Sequence, residues 1–197
     1  MDPLLTTALI LAVMAAVVLL FRLVIRAPKG MSETDPSGVR TVAVFSGDDP
    51  EFFQEDRPDD SYVGIRLFKL LCDGLAAHGV LIENARKIPY AHRAECIVED
   101  KRFALVFEWV EPRWAASVEW VPDSAAVRRH IALTHRVFSP PDSIALRRLL
   151  SLLDNWLKAH PKLSHVRWHR KEKWLFDDPS DPDDVPIREV DTNPPAS

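Results

Sequence analysis

The chain has 197 residues, of which 47% are apolar and 27% charged, and its formal net charge is −4. That balance belongs to a folded protein and speaks against a strongly basic nucleic-acid binder. Two cysteines exclude a disulfide scaffold and a four-cysteine zinc site. No glycine follows Gly79, which removes a glycine-rich phosphate cradle from the rest of the chain.

Residues 3–21 carry no charge and consist mainly of Leu, Ile, Val, Ala and Met. As a helix they extend about 28 Å, close to the hydrocarbon thickness of a bilayer. A cleaved signal peptide places basic residues before a shorter apolar run. Here Arg22, Arg26 and Lys29 follow the run, and only Met1, Asp2 and Pro3 open the chain. Residues 1–26 therefore read as an uncleaved transmembrane anchor, meeting membrane lipid over residues 3–25. Basic flanks stay on the cytoplasmic side, so the N-terminus is expected outside and the rest of the chain inside. Cys72 and Cys96 suit a cytoplasmic domain as buried small hydrophobes. Ala8, Ala12 and Ala16 form a small-residue stripe that would let two spans approach, although alanine is common in any such span.

Residues 27–38, with two prolines and two glycines, read as a linker. A body whose charges largely cancel follows over residues 39–176. Residues 39–45 read as a strand and 46–60 as an acidic loop. A first helix is expected over residues 61–78, capped by Asp60 or Ser61 and ended by Gly79. Ile65, Phe68, Cys72 and Leu75 lie on its apolar face, widened by Leu67 and Leu71. A second strand over 81–88 ends at Pro89. Residues 95–99 and 102–110 flank a tight Asp100-Lys101 turn and read as a hairpin. Residues 114–121 extend the meander, and residues 123–138 fit either helix or strand.

Pro140, Pro141 and Asp142 open a second helix, and Pro161 follows it. Leu146, Leu149, Leu150, Leu153, Trp156 and Leu157 give it a single apolar stripe. A short final strand is expected over 164–169. Residues 177–197 hold five prolines and seven acids against Arg188, and read as a disordered acidic tail. The fold class is α+β: a two-layer sandwich with a mostly antiparallel sheet of five or six strands and two main helices on one face. Phe103, Leu105, Phe107 and Trp109 would share the inner face with Trp114, Ala116, Val118 and Trp120. Ala104, Val106, Glu108 and Val110, with Ala115, Ser117, Glu119 and Val121, form a smaller, mixed outer row.

Three constellations bear on chemistry. Asp48, Asp49, Glu51, Glu55, Asp56, Asp59 and Asp60 crowd the loop 48–60, where carboxylates bind Mg²⁺ or act as general bases. Their simpler role is to cap and solvate the start of the first helix. The strand, the acids and the following helix resemble the opening of a TIR domain. That family has a parallel sheet, and the antiparallel meander over 94–121 argues against membership. The seven histidines show no metal spacing. His165 and His169 on a strand would lie about 13 Å apart, too far for one zinc. The third constellation is the basic-aromatic stretch Arg167, Trp168, His169, Arg170, Lys171, Lys173 and Trp174. Arg167, Trp168, Arg170, Lys171, Lys173 and Trp174 are the candidate partner-binding residues, for a protein or for anionic lipid. The competing expectation is that the tryptophans pack inside while the basic residues pair with the acidic tail.

Taken together, the chain reads as a single-pass membrane protein with a cytoplasmic adaptor or assembly domain, binding a protein partner and needing no cofactor. A membrane-tethered metal-dependent hydrolase using the acidic loop is the alternative. Nucleic acid is not expected as a ligand.

Overall fold

The structure, a computed structural model, describes residues 39–54, 63–122, 140–171 and 182–187, together with Met14 and residues 124, 125, 127 and 128. Strand β1 (Val42–Ser46) leads through a 3-10 turn (Pro50–Phe53) to helix α1 (Ile65–Ala77). The meander β2 (Leu81–Ile88), β3 (Ala91–Val98), β4 (Lys101–Val110) and β5 (Arg113–Trp120) follows. Helix α2 (Ile144–Ala159) and strand β6 (Ser164–His169) complete the elements. The strand order is β2-β3-β4-β5-β1-β6, and every pairing is antiparallel. This is the expected α+β architecture, here with six strands and two helices, and among the described residues no strand pairing is parallel, unlike the sheet of a TIR domain.

The β4–β5 register follows the apolar row. Phe103 faces Trp120, Leu105 faces Val118, Phe107 faces Ala116 and Trp109 faces Trp114. These side chains build an aromatic cluster in which Phe107 stacks on Trp114 at 5.4 Å and Phe45 lies 6.3 Å from Phe107. The Trp114 indole N–H donates to the Gly47 carbonyl at 2.8 Å, tying the end of β1 to β5. β1 lies between β5 and β6 and is buried from Val42 to Phe45, with Ala43 and Phe45 in the main core cluster.

Several boundaries differ from the sequence expectation. The β3–β4 turn uses Glu99 and Asp100, both at positive φ (49° and 62°), so it sits one residue earlier than the expected Asp100-Lys101 pair. β3 starts at Ala91 rather than residue 95, because Pro89 and Tyr90 turn β2 directly into it. α1 starts at Ile65, not residue 61, and its N-cap is Gly64 at φ 93° without a side-chain cap. A Cβ on Gly64 would come within 2.5 Å of Trp114, so the aromatic cluster itself requires glycine there. The expected caps Asp60 and Ser61 lie outside the described residues. Gly79 closes α1 at φ 83°, as expected.

In α2 the cap is Ser143, whose Oγ accepts the Leu146 N–H at 3.1 Å. Asp142 instead pairs with Arg147. Leu146, Leu149, Leu150, Leu153 and Leu157 are buried, and Trp156 is half-buried. Trp156 lies so close to Gly74 of α1 that a Cβ there would come within 2.0 Å of its Nε1.

The larger correction concerns the tail. Residues 182–187, inside the stretch expected to be disordered, dock beside β6. Asp183 and Trp168 exchange backbone hydrogen bonds of 2.9 and 2.7 Å, and the Arg40 N–H donates to the Pro186 carbonyl at 2.8 Å. The Arg40 guanidinium pairs with the Asp183 carboxylate at 3.4 Å, and Ile187 packs against the core. The remainder of 177–197 lies outside the described residues.

Among the described residues no helix is long and apolar enough to cross a membrane. The expected span over residues 3–21 lies outside them apart from Met14. For residues 123–138, the described positions show a helical turn in which the Arg128 N–H donates to the Ser124 carbonyl at 3.0 Å.

Candidate functional site

The acidic loop is occupied by structural work where it is described. The Asp49 carboxylate accepts the Glu51 N–H at 2.8 Å, capping the 3-10 turn, and meets Lys162 Nζ at 2.6 Å. The Lys162 contact, with the Glu51 N–H after it, holds the Asp49 carboxyl below the usual carboxylate range. His160 stands nearby against Phe52 and Trp156, at ring distances of 6.0 and 5.0 Å. Burial, and then the Lys162 charge, lowers the pKa of His160. Among the described residues no three His, Cys, Asp or Glu side chains are grouped to hold a metal ion. Glu55, Asp56, Asp59 and Asp60 lie outside the described residues.

The basic-aromatic stretch is divided by strand alternation. Trp168 points inward and is fully buried, and its indole N–H donates to Asp154 Oδ1 at 2.8 Å. It is therefore a core residue, as the competing expectation for the tryptophans has it. Arg167, on the opposite side of β6, pairs with Asp184 of the docked tail. Lys171 reaches Glu119 at 2.5 Å and is largely buried. Arg170 is half-buried, and Lys173 and Trp174 lie outside the described residues. The charges proposed for a partner are thus engaged within the chain at Arg167 and Lys171. The docked acids are those of the tail, at Asp183 and Asp184.

A site that sequence reasoning missed lies between α1 and β2. It is a half-open groove of about 530 Å³. Ile65, Phe68, Cys72 and Ala76 line it from the helix, and Ile82 and Ala85 from the strand. Phe68 and Cys72 form its buried floor, while Ala76 and Ala85 are exposed at its mouth. Lys69, Arg86 and Lys87 rim it against a single acid, Asp73.

The groove lies between α1 and β2. β2 is also the sheet's outer strand, so its far edge is unpaired among the described residues. Leu81 and Tyr90, at the two ends of β2, are both exposed.

The thiol in the groove is not an activated nucleophile. It belongs to Cys72 and is pushed up to about 12 by burial and then by Asp73, which keeps it protonated at neutral pH. The only signal for the groove in the sequence is that Ile65, Phe68, Cys72 and Ala76 share one side of α1 while Lys69 and Asp73 flank them. Comparison with protein-family models, with curated proteins and with solved structures finds no match to this chain.

Proposed function

We propose that this chain is a single-pass membrane protein whose domain over residues 39–176 is a protein-interaction module, an adaptor or assembly component held at the cytoplasmic face. The single observation that carries the docking part is the α1–β2 groove, with its apolar floor and cationic rim. A concave cleft of this volume with an apolar floor and a few polar groups at its rim is the usual starting hypothesis for a binding site. The anchor part rests on the uncharged run 3–21 followed by Arg22, Arg26 and Lys29. With Trp168 buried and Arg167 and Lys171 engaged, the groove replaces the basic-aromatic stretch as the docking surface.

The test is site-specific photo-cross-linking in native membranes. A photoreactive residue at Ala76, in the groove, should give a discrete protein adduct that Arg86→Glu suppresses. The same probe at Ala159, exposed at the end of α2, should not give that adduct. Equal adducts at both positions, or none at Ala76, would refute the docking reading.

A further inference from the structure

The docked tail is held in the manner of a bound peptide, at the end of the sheet away from the groove. β6 is the last strand of the described sheet, and residues 182–187 meet its outer edge through an antiparallel bridge. The Trp168 N–H donates to the Asp183 carbonyl at 2.7 Å, and the Asp183 N–H to the Trp168 carbonyl at 2.9 Å. The Arg40 N–H adds a third main-chain bond, to the Pro186 carbonyl at 2.8 Å. Residues 169–182 separate the two bridged positions, whereas a hairpin turns in about two to five. No tight turn sets this register, so it rests on what the strap's own side chains meet.

Those contacts form a pattern. Asp183 meets Arg40 at 3.4 Å with both side chains largely buried. Asp184 pairs with Arg167 on the exposed side, and Lys158 Nζ donates to the Asp184 carbonyl at 2.6 Å. Val185 is exposed, Pro186 is buried and Ile187 packs against the core. Main-chain bonds along a strand edge, with seats for chosen side chains, are the layout of peptide sites that work by strand addition. Exposed ion pairs contribute little, so the buried Asp183–Arg40 contact is the one that selects an acid.

The strap is lightly secured. A single bridge joins it to β6, where the named strands share ladders. A segment held in this way opens locally at a free energy well below that of global unfolding. A second copy's β6 is a poor replacement, because it brings its own Arg167 to an edge that already carries Arg40, Lys158 and Arg167, and facing like charges destabilise strand pairs.

We propose that the outer edge of β6 is a binding site for an acidic, extended segment of a partner protein, occupied in the free chain by residues 182–187 as an autoinhibitory strap. The guest carries two adjacent acids, one free position, then a proline and an aliphatic residue. Its first acid meets Arg40, its second meets Arg167, and its aliphatic side chain takes the seat of Ile187. This site shares no residue with the α1–β2 groove and stands or falls apart from it.

The test is fluorescence anisotropy of a labelled peptide with the sequence of residues 180–190, added to the full-length chain in detergent micelles at low salt. Asp183→Lys in the chain disables its own strap and leaves β6 unaltered. The peptide should bind this variant at least about tenfold more tightly than the parent, whose tethered tail competes at high effective concentration. Asp183→Lys in the peptide should abolish that binding. A peptide that keeps only the two acids, the proline and the isoleucine among alanines should retain it within about tenfold. Hydrogen exchange on the parent reads the opening without any substitution: the Trp168 and Asp183 amides should exchange well before that of Leu153.

Equal binding to parent and variant, no binding to a folded variant, or binding that survives Asp183→Lys in the peptide would overturn the proposal. So would strap amides that exchange together with Leu153, which decides the matter should the variant not fold. Failure of the alanine-background peptide would restrict the edge to the chain's own tail and overturn the partner. A parent chain that is dimeric until Asp183→Lys disperses it would give the edge to a second copy's tail, and would overturn the partner as well.

Discussion

At the residue scale, the most demanding contact is the hydrogen bond between the Trp168 indole and Asp154. Asp154 is buried, and its second carboxylate oxygen accepts from Lys158 Nζ at 2.8 Å. Asp154→Ala strands the indole N–H in the core and should cost about 1–3 kcal/mol, read as a lower Tm. An unchanged Tm would mean that water reaches the indole. Gly74 sits inside α1, where replacing glycine with alanine ordinarily gains about 1 kcal/mol of helix propensity. Here the new Cβ collides with Trp156, and overpacking of that kind costs about 1–3 kcal/mol, so Gly74→Ala should destabilise. The pKa of the Glu108 carboxyl is raised, first by burial and then by Glu119, with Lys171 opposing. A raised folded pKa means that its contribution is present below the ordinary carboxylate range and is lost as pH rises through the folded value. Glu108→Gln should therefore raise the Tm at neutral pH and leave it nearly unchanged near pH 4. A gain of the same size at both would contradict this.

At the scale of elements, the stripe of α2 and the docked tail make opposite demands on sequence reading. Leu153 is fully buried, and Leu153→Ala should cost about 2–5 kcal/mol. That stripe was legible because helical period and proline boundaries are local signals. The β4–β5 pairing was legible for the same reason, since Phe103 to Trp109 and Trp114 to Trp120 flank one short turn. The place of β1 between β5 and β6 was not, because it depends on partners more than 70 residues away in β5, such as Ser117 opposite Val42. The tail failed for a different reason. Its composition is that of a disordered chain, yet Asp183 meets Arg40 with both side chains largely buried. Asp183→Ala leaves that guanidinium without this carboxylate and should cost roughly 1–3 kcal/mol. A Tm within error of the parent would show that the tail is only loosely held.

At the scale of the whole molecule, the candidate site was the least legible feature. Basic and aromatic residues cluster in sequence at 167–174, but strand alternation turns Trp168 inward while Arg167 faces Asp184. That inversion was available from the alternation of Val166 and Trp168 with Arg167 and His169. The groove was not available, because α1 and β2 build it from two separate stretches of the chain, and no single run of residues spells that out. The proposed function has two parts: an anchor that would leave the domain inside the cell, and a groove there that a partner protein would cover. A single cysteine introduced as Ala76→Cys reads both with a membrane-impermeant maleimide, because Cys72 and Cys96 are buried with thiols pushed up to about 12 and stay silent. The account predicts no labelling in intact cells, slow labelling in opened native membranes, and fast labelling once a high-salt wash has stripped the partner. Labelling of intact cells, or a rate in opened membranes that the wash leaves unchanged, would contradict it.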